Sequence, residues 1–210
     1  MRDIHCHILP GVDDGSRNLE ESLQMLEAAK AVGITSIVCT PHCRDPWFDY
    51  NKMWDAFELL QAHAGGFPLQ MAFEVNHMKL MDLGMQWADY LHYDGSREFL
   101  LELTDGAPAS EYDTYERTIF ELQGKGYDVI IAHPERYKAI QEDISIAQRL
   151  VRMGCRLQAS GNFIAEGMFS KRRKTAKKLL DMGLYSYVAS DAHCVGDYDN
   201  FKKAVKFSIK

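Results

Sequence analysis

Short apolar or β-branched segments recur along the chain. Each is followed by an amphipathic stretch that a glycine brings to an end, which is the pattern of repeated strand–helix units. Seven segments fit, at residues 3–7, 36–40, 69–74, 98–103, 128–132, 156–160 and 186–190. Asn18 is placed to cap a helix running from Leu19 to about Val32, with Glu21 in the capping-box position, Leu19, Leu23 and Leu26 on one face, and Gly33 as the stop. Ser110 is expected to cap a helix ending near Gly124 or Gly126, residues 142–153 to form a helix stopping at Gly154, and Ser170 to cap one stopping at Gly183. No strand is followed by a glycine-rich dinucleotide turn, so the units are expected to close into an α/β structure of the barrel kind, not a doubly wound sheet.

The 210 residues contain no Pro-, Gly- or Ser-rich divider, so a single domain over residues 1–210 is expected. Apolar runs such as those around Ile37 and Ile130 are too short to span a bilayer, which argues against membrane insertion. The apolar alternation begins directly after Met1 and leaves no room for a signal peptide, and the five cysteines show no disulfide spacing. A cytoplasmic protein with reduced thiols is expected. The net charge of −6 argues against nucleic acid as a partner. A local basic cluster, Lys171, Arg172, Arg173, Lys174, Lys177 and Lys178, reads as a solvated helix face.

In a β/α barrel the active site gathers where strands end, and potential metal ligands sit at those ends. His5 and His7, two apart on the first strand, project from one face. Asp14 lies in the loop that follows. His42 follows the second strand, Glu74 closes the third, Glu102 lies near the end of the fourth, His133 follows the fifth, and Asp191 and His193 follow the seventh. Each has a plainer reading alone: an HxH pair occurs in structural zinc sites, and Asp13-Asp14-Gly15 suits a turn. A carboxylate at the end of an apolar strand would be buried in the barrel mouth, however, and a buried charge needs a cation. His63, His77 and His92 lie away from the strand ends and read as surface or core residues.

Imidazoles and carboxylates without convergent thiolates suit Mn, Fe or Zn, and nine candidate ligands exceed what one ion can use. Clustered divalent ions favour phosphoryl hydrolysis through a metal-activated hydroxide, and Arg136, three residues past His133, is placed to hold phosphate oxygens. A thiol-phosphatase mechanism fails on spacing, because four residues rather than five separate Cys39 from Arg44. Cys6 and Cys39 read as core; Cys43 and Cys194 adjoin ligand positions.

DIHCHILPGVDDG at the start, TPH at Thr40 to His42, HPER at His133 to Arg136 and SDAH at Ser190 to His193 resemble, in order and over nearly the whole chain, the polymerase-and-histidinol-phosphatase (PHP) superfamily. HILPGVDDG after the HxH pair is specific to its branch of bacterial manganese-dependent protein-tyrosine phosphatases of capsule and exopolysaccharide operons. The resemblance implies a distorted (β/α)7 TIM-like barrel with three divalent ions, manganese foremost. One ion would be held by His5, His7, Glu74 and Asp191, a second by Glu74, Glu102 and His133, and a third by Asp14, His42 and His193. Arg136 matches the phosphate-binding arginine. A second arginine that relatives carry beyond the DAH motif has no counterpart among Cys194 to Tyr198, which leaves Lys202 or Lys203 as candidate replacements. Phe73, where a small residue is common, and the end of the chain at Lys210 are lesser departures.

The expected activity is hydrolysis of phosphotyrosine on a protein, for instance a bacterial tyrosine kinase governing polysaccharide export, with His193 or Asp191 supporting the phenolate leaving group. Two alternatives are a phosphatase for a small phosphomonoester such as histidinol phosphate, and a regulatory metal-binding domain without turnover. The resemblance also makes a homo-oligomer an expectation.

Overall fold

The computed structural model describes residues 1–208. Among them are nine strands and nine α-helices, in the order β1 (Arg2–Cys6), α1 (Leu19–Ala31), β2 (Ser36–Cys39), β3 (His42–Cys43), α2 (Tyr50–His63), β4 (Leu69–Met71), β5 (Glu74–Asn76), α3 (His77–Leu83), α4 (Ala88–Leu91), β6 (Glu98–Glu102), α5 (Tyr112–Gly124), β7 (Asp128–Ala132), α6 (Lys138–Glu142), α7 (Ser145–Arg152), β8 (Arg156–Ser160), α8 (Lys171–Asp181), β9 (Tyr187–Ala189) and α9 (Asp197–Ser208). Among these residues no helix is long and apolar enough to cross a membrane.

All strand pairs are parallel, in two sheets ordered β1-β2-β4 and β3-β5-β6-β7-β8-β9. The first sheet passes into the second by chain continuity, since β2 runs into β3 and β4 into β5. Pro41 has no N–H to give the ladder at this crossing. Bonds from Ala72 N to Cys39 O (2.9 Å) and Glu74 N to Pro41 O (3.1 Å) carry the pairing past it. Counted this way there are seven staves, and the expected single third strand, residues 69–74, is two short ones, with Glu74 opening β5 instead of closing its predecessor. A bridge between Cys6 and Ala192 joins the last stave to the first, so the strands form a distorted (β/α)7 barrel.

The strands are buried on both faces, as parallel strands covered by helices must be. Ile4, Val38, Ala72, Leu100, Ile130, Ala132 and Ala189 form the inner cluster, with Tyr93 closing it from below through a bond from its hydroxyl to Ile4 O (2.7 Å). Alternate residues such as Val129, Ile131 and Leu157 pack outward against the helices. Two residues beyond Ala72 and Leu100, on the same face of their staves, come Glu74 and Glu102, and Asp191 follows Ala189 where the chain leaves β9. An apolar plug therefore lies directly beneath a ring of carboxylates.

Two expected caps form: Asn18 accepts from Glu21 N (3.0 Å) and Ser170 from Arg173 N (3.1 Å). Three local expectations do not hold. Glu21 closes its box on Arg17 N, one residue before the cap (2.8 Å). Ser110 caps nothing, because residues Ala109–Glu111 already turn as a 3-10 helix leading straight into α5. The helix expected over 142–153 is α7 and stops before Gly154 as expected, but it starts only at Ser145, because Asp143 is extended and its carboxylate accepts from Ser145 N (2.9 Å), while residue 142 ends α6.

Barrel closure rests on a buried carboxylate. Asp3 accepts from Ser190 N (2.9 Å) and Ser190 Oγ (2.5 Å), and burial pushes its pKa up to about 6 despite those bonds. Asp3→Ala strands Ser190 N in the interior and leaves Ser190 Oγ with only His5 O (3.2 Å) as an acceptor, which costs about 1–3 kcal/mol. The urea midpoint of unfolding should fall accordingly with the slope unchanged, whereas an unchanged midpoint would show that closure does not depend on this clamp.

Candidate metal centre

Nine side chains expected at the strand ends converge on the barrel mouth. His5, His7 and Glu74 are wholly buried, and Asp191 and His133 nearly so; Glu102 and His42 are slightly exposed. Donor atoms fall into three overlapping groups within 4.8 Å: His5, His7 and Glu74; His42, Glu74 and Glu102; and His7, Asp14, His42 and His193. Asp191 and His133 stand beside these groups. Asp191 Oδ1 is 3.4 Å from His5 Nε2 and 3.6 Å from His7 Nε2, and His133 Nε2 is 2.6 Å from Glu74 Oε1. Glu74 is thus central to the arrangement, its Oε2 lying 3.3 Å from the Nε2 atoms of both His5 and His7 and 2.7 Å from His42 Nδ1.

Outer partners determine which imidazole nitrogen faces the cluster. Gln158 Nε2 donates to Ala159 O (2.7 Å), so its Oε1 accepts from His5 Nδ1 (2.9 Å). Asp13 Oδ2 accepts from His7 Nδ1 (2.9 Å), and the Asp191 carbonyl accepts from His193 Nδ1 (3.0 Å). With Nδ1 protonated in all three, each neutral ring presents its Nε2 lone pair inward. The His5 and His7 lone pairs then point at one another across 3.2 Å, an arrangement that makes sense about a shared cation.

The residues present fit divalent ions on a second count. Buried polar atoms without a hydrogen-bond partner include Glu74 Oε2, Asp191 Oδ1, His42 Nδ1 and His133 Nδ1, all in the cluster. Such atoms are costly unless something coordinates them. Burial would raise the pKa of Glu74, but the charges of His5 and His42 and the hydrogen bond from His133 hold it well below the usual carboxylate range. Burial would likewise raise Asp191, which Arg136 and His5 hold low. Glu102 moves the other way, raised by burial and by the neighbouring Glu74 charge. Burial opposes protonation of His5, yet Glu74 and Asp191 raise its pKa, so the field at the centre favours positive charge.

Among the described residues two non-glycines have positive φ, His133 (29°) and Asp191 (49°), and both belong to the centre. Holding such residues in the left-handed region costs about 1–3 kcal/mol each and is tolerated where the surroundings over-determine the backbone. Asp191 is held there by its N–H to His5 O (2.8 Å).

Arg136 lies at the rim, donating from Nη2 to Asp191 Oδ2 and to Ser160 Oγ (3.3 Å), beside a cavity of about 90 Å³ lined with Ser160, Asn162, Phe163 and Arg172. Lys202 and Lys203 lie exposed on α9. His63 is exposed on α2, while His77 is buried and bonds Thr118 Oγ1 (2.9 Å); both are outside the centre as expected. Four residues were missed: Asp13, read as a turn; Gln158, which carries no motif; Glu135, buried with its carboxylate accepting from Tyr185 and from Ser160 N; and Arg44, weighed only against a cysteine. Strand parity gives Gln158 an inward side chain, a signal that could have found it.

A seven-stave parallel barrel with histidines and carboxylates gathered at the C-terminal mouth is the PHP type of architecture. The chain belongs to the CpsB/CapC family of capsular polysaccharide synthesis, whose model matches residues 1–205. It is 32% identical over 209 residues to the tyrosine-protein phosphatase YwqE of Bacillus subtilis (strain 168), covering 93% of this chain and 78% of that one. It is 28% identical over 204 residues to the tyrosine-protein phosphatase CpsB of Streptococcus pneumoniae, covering 92% and 83%. A solved structure from a study of YwqE and CpsB, described as unique metal-dependent tyrosine phosphatases, superposes with a TM-score of 0.84 at 26% identity over 100% of this chain and 86% of its own.

Asp13 supplies a test of the centre. Its carboxylate accepts from His7 Nδ1, His42 N (3.0 Å) and Gly15 N (3.0 Å); burial would raise its pKa, but the charge of His7 and the bond from it bring it to about 2. Asp13→Ala frees the His7 ring and should weaken divalent-metal affinity about 10- to 100-fold. Titration of the apoprotein against a competing chelator measures this, and equal affinity in the variant would contradict the assigned role.

Proposed function

We propose that the protein is a metal-dependent phosphomonoester hydrolase acting on phosphotyrosine in proteins. The observation that carries this reading is the set of buried donor atoms lacking hydrogen bonds around Glu74, with a guanidinium at the rim. His5, His7, Asp14, His42, Glu74, Glu102, His133, Asp191 and His193 would hold the ions, of which we infer three, with manganese the first choice. Divalent ions held there supply Lewis acidity toward phosphoryl oxygens and lower the pKa of a water.

The chain's own residues have separable tasks. Arg136 binds the phosphoryl oxygens through its paired N–H groups and sets the approach of phosphorus to the centre. Asp191, held low in pKa beside it, keeps that guanidinium oriented. The apolar plug beneath the carboxylates excludes bulk water from below, so charge interactions at the mouth are strong. A tyrosine leaving group has a pKa near 10 and asks for little protonation. His193, half-buried at the rim beside the buried Asp191, would support it.

The relatives' names support a protein substrate, and we infer a tyrosine kinase of polysaccharide export as that partner. Five unpaired cysteines support a cytosolic setting. A self-assembling state also belongs to this reading.

His5→Ala and Asp191→Ala should each lower kcat/KM for an aryl phosphate by more than about 100-fold, beyond the range of outer-sphere changes, while circular dichroism shows the fold retained. Full activity in either variant would remove the centre from the chemistry. Phosphotyrosine peptides should be turned over in preference to histidinol phosphate and sugar phosphates, and indifference to the peptides would point instead to a small phosphomonoester.

A further inference from the structure

Access to the centre is restricted to one face. The side chains of His5, His7, Glu74, His133 and Asp191 are at most 1% exposed, whereas Asp14 is 41%, Arg44 31%, His193 28% and Arg136 25% exposed. A phosphoryl group reaching the donors from solvent must pass these four. Arg136 belongs to the β7–β9 side, where it touches Asp191 and Ser160. Arg44 follows β3 and reaches toward β6, where Nη1 lies 3.1 Å from Glu102 Oε1 and Nη2 is 2.9 Å from His42 Nε2 and 3.6 Å from Asp14 Oδ2.

The Arg44 guanidinium has donors to spare. Of its five N–H groups, Nη1 uses one on the Glu102 carboxylate (3.1 and 3.5 Å to its two oxygens) and Nη2 one on His42, Asp14 being 3.6 Å away, and Nε is buried with no partner. Its plane is fixed before any ligand arrives: Cζ sits 5.0 Å from the Trp47 ring centroid, and Trp47 stacks on His42 at 5.5 Å and 21°. It borders an open depression of about 300 Å³ shared with Asp45, Asn76, Met78, Lys79 and Asp82, in which Lys79 is paired with Asp45 (2.6 Å), so there is room beyond it while the anion-binding side is the one that faces the centre. Arg172, which lines the cavity beside Arg136, differs, since its guanidinium is paired with the Asp105 and Glu166 carboxylates.

We propose that Arg44 is a second phosphate-binding residue, gripping the phosphoryl group from the β3–β6 side while Arg136 holds it from the β7–β9 side. A phosphate dianion presents three peripheral oxygens, and one guanidinium satisfies at most two of them with parallel bonds. A second, pre-oriented fork supplies the remaining donors and neutralises the second charge. The proposal rests on the phosphatase reading for its substrate, but it is a statement about anion binding that can be measured without turnover.

The test uses the metal-replete protein, with Arg44→Ala and Arg44→Lys beside the wild type. Inorganic phosphate is the binding probe, p-nitrophenyl phosphate the substrate, and elemental analysis gives the metal content. Loss of the charged fork should raise the inhibition constant of phosphate about 10- to 100-fold in Arg44→Ala. The rise should be smaller in Arg44→Lys, which keeps the charge without the fork. KM should rise by more than kcat falls, and metal content should stay at the wild-type value. Phosphate inhibition equal to wild type in both variants would overturn the proposal. So would metal loss that accounts for all the lost activity, since Arg44 would then merely position Glu102 and His42. A wild type that binds phosphate through Arg44 yet hydrolyses no aryl phosphate would uphold this inference and overturn the functional reading instead.

Discussion

The charge on Glu74 governs the rest of the structure. Its side chain has no solvent exposure, sits above an apolar plug, and accepts at Oε1 from His133 while Oε2 lies among three imidazoles. An isolated carboxylate in such a place would cost many kcal/mol and would protonate. Here cationic character surrounds it, and its pKa is driven down instead. The inner face can therefore be apolar up to Ala72 and Leu100 and anionic two residues later only because positive charge is gathered at that level.

The supporting residues narrow what that charge can do. Gln158, Asp13 and the Asp191 carbonyl each hold an Nδ1 proton, so three rings are locked as inward-facing donors and lose little entropy on coordination. One of these partners comes from a segment far from the ring it orients, Gln158 from β8, whereas Asp13 and Asp191 belong to the same segments as His7 and His193. Correct barrel register is thus a condition of correct tautomer. A slip of one residue in β8 would turn Gln158 outward and leave His5 free to present either nitrogen.

Much of this was legible in the sequence because strand ends and metal-binding residue types coincide in a parallel barrel. Residues 128–132 and 156–160 were placed to the residue, and the nine converging side chains were found from position alone. What escaped notice had weak local signals. Pro41 divides a stave by removing one donor, which periodicity over residues 36–40 does not register. Asp143 delays the start of α7 through a side-chain bond to Ser145, although its flanks are helical in pattern. Asp13 has the composition of a turn and does sit in one; its second role, orienting His7, depends on a fold-back that only the folded loop defines. Arg44 has no periodic or motif signal at all, and its place at the mouth follows from β3 continuing past Pro41.

Closure of the barrel and construction of the centre use the same bonds. The seam between the first and last staves consists of Asp191 N to His5 O, His7 N to Ala192 O (2.9 Å), and the Asp3 carboxylate on Ser190. Each bond ends on, or next to, a proposed ligand. The positive φ of Asp191 is the local cost of turning its carboxylate inward at that seam, and the ladder on both sides compensates it. Stability and site geometry are consequently not independent here. Loosening the seam would relieve backbone strain while letting Asp191 and the HxH pair drift apart, so the closed barrel is what keeps these donors within coordinating distance.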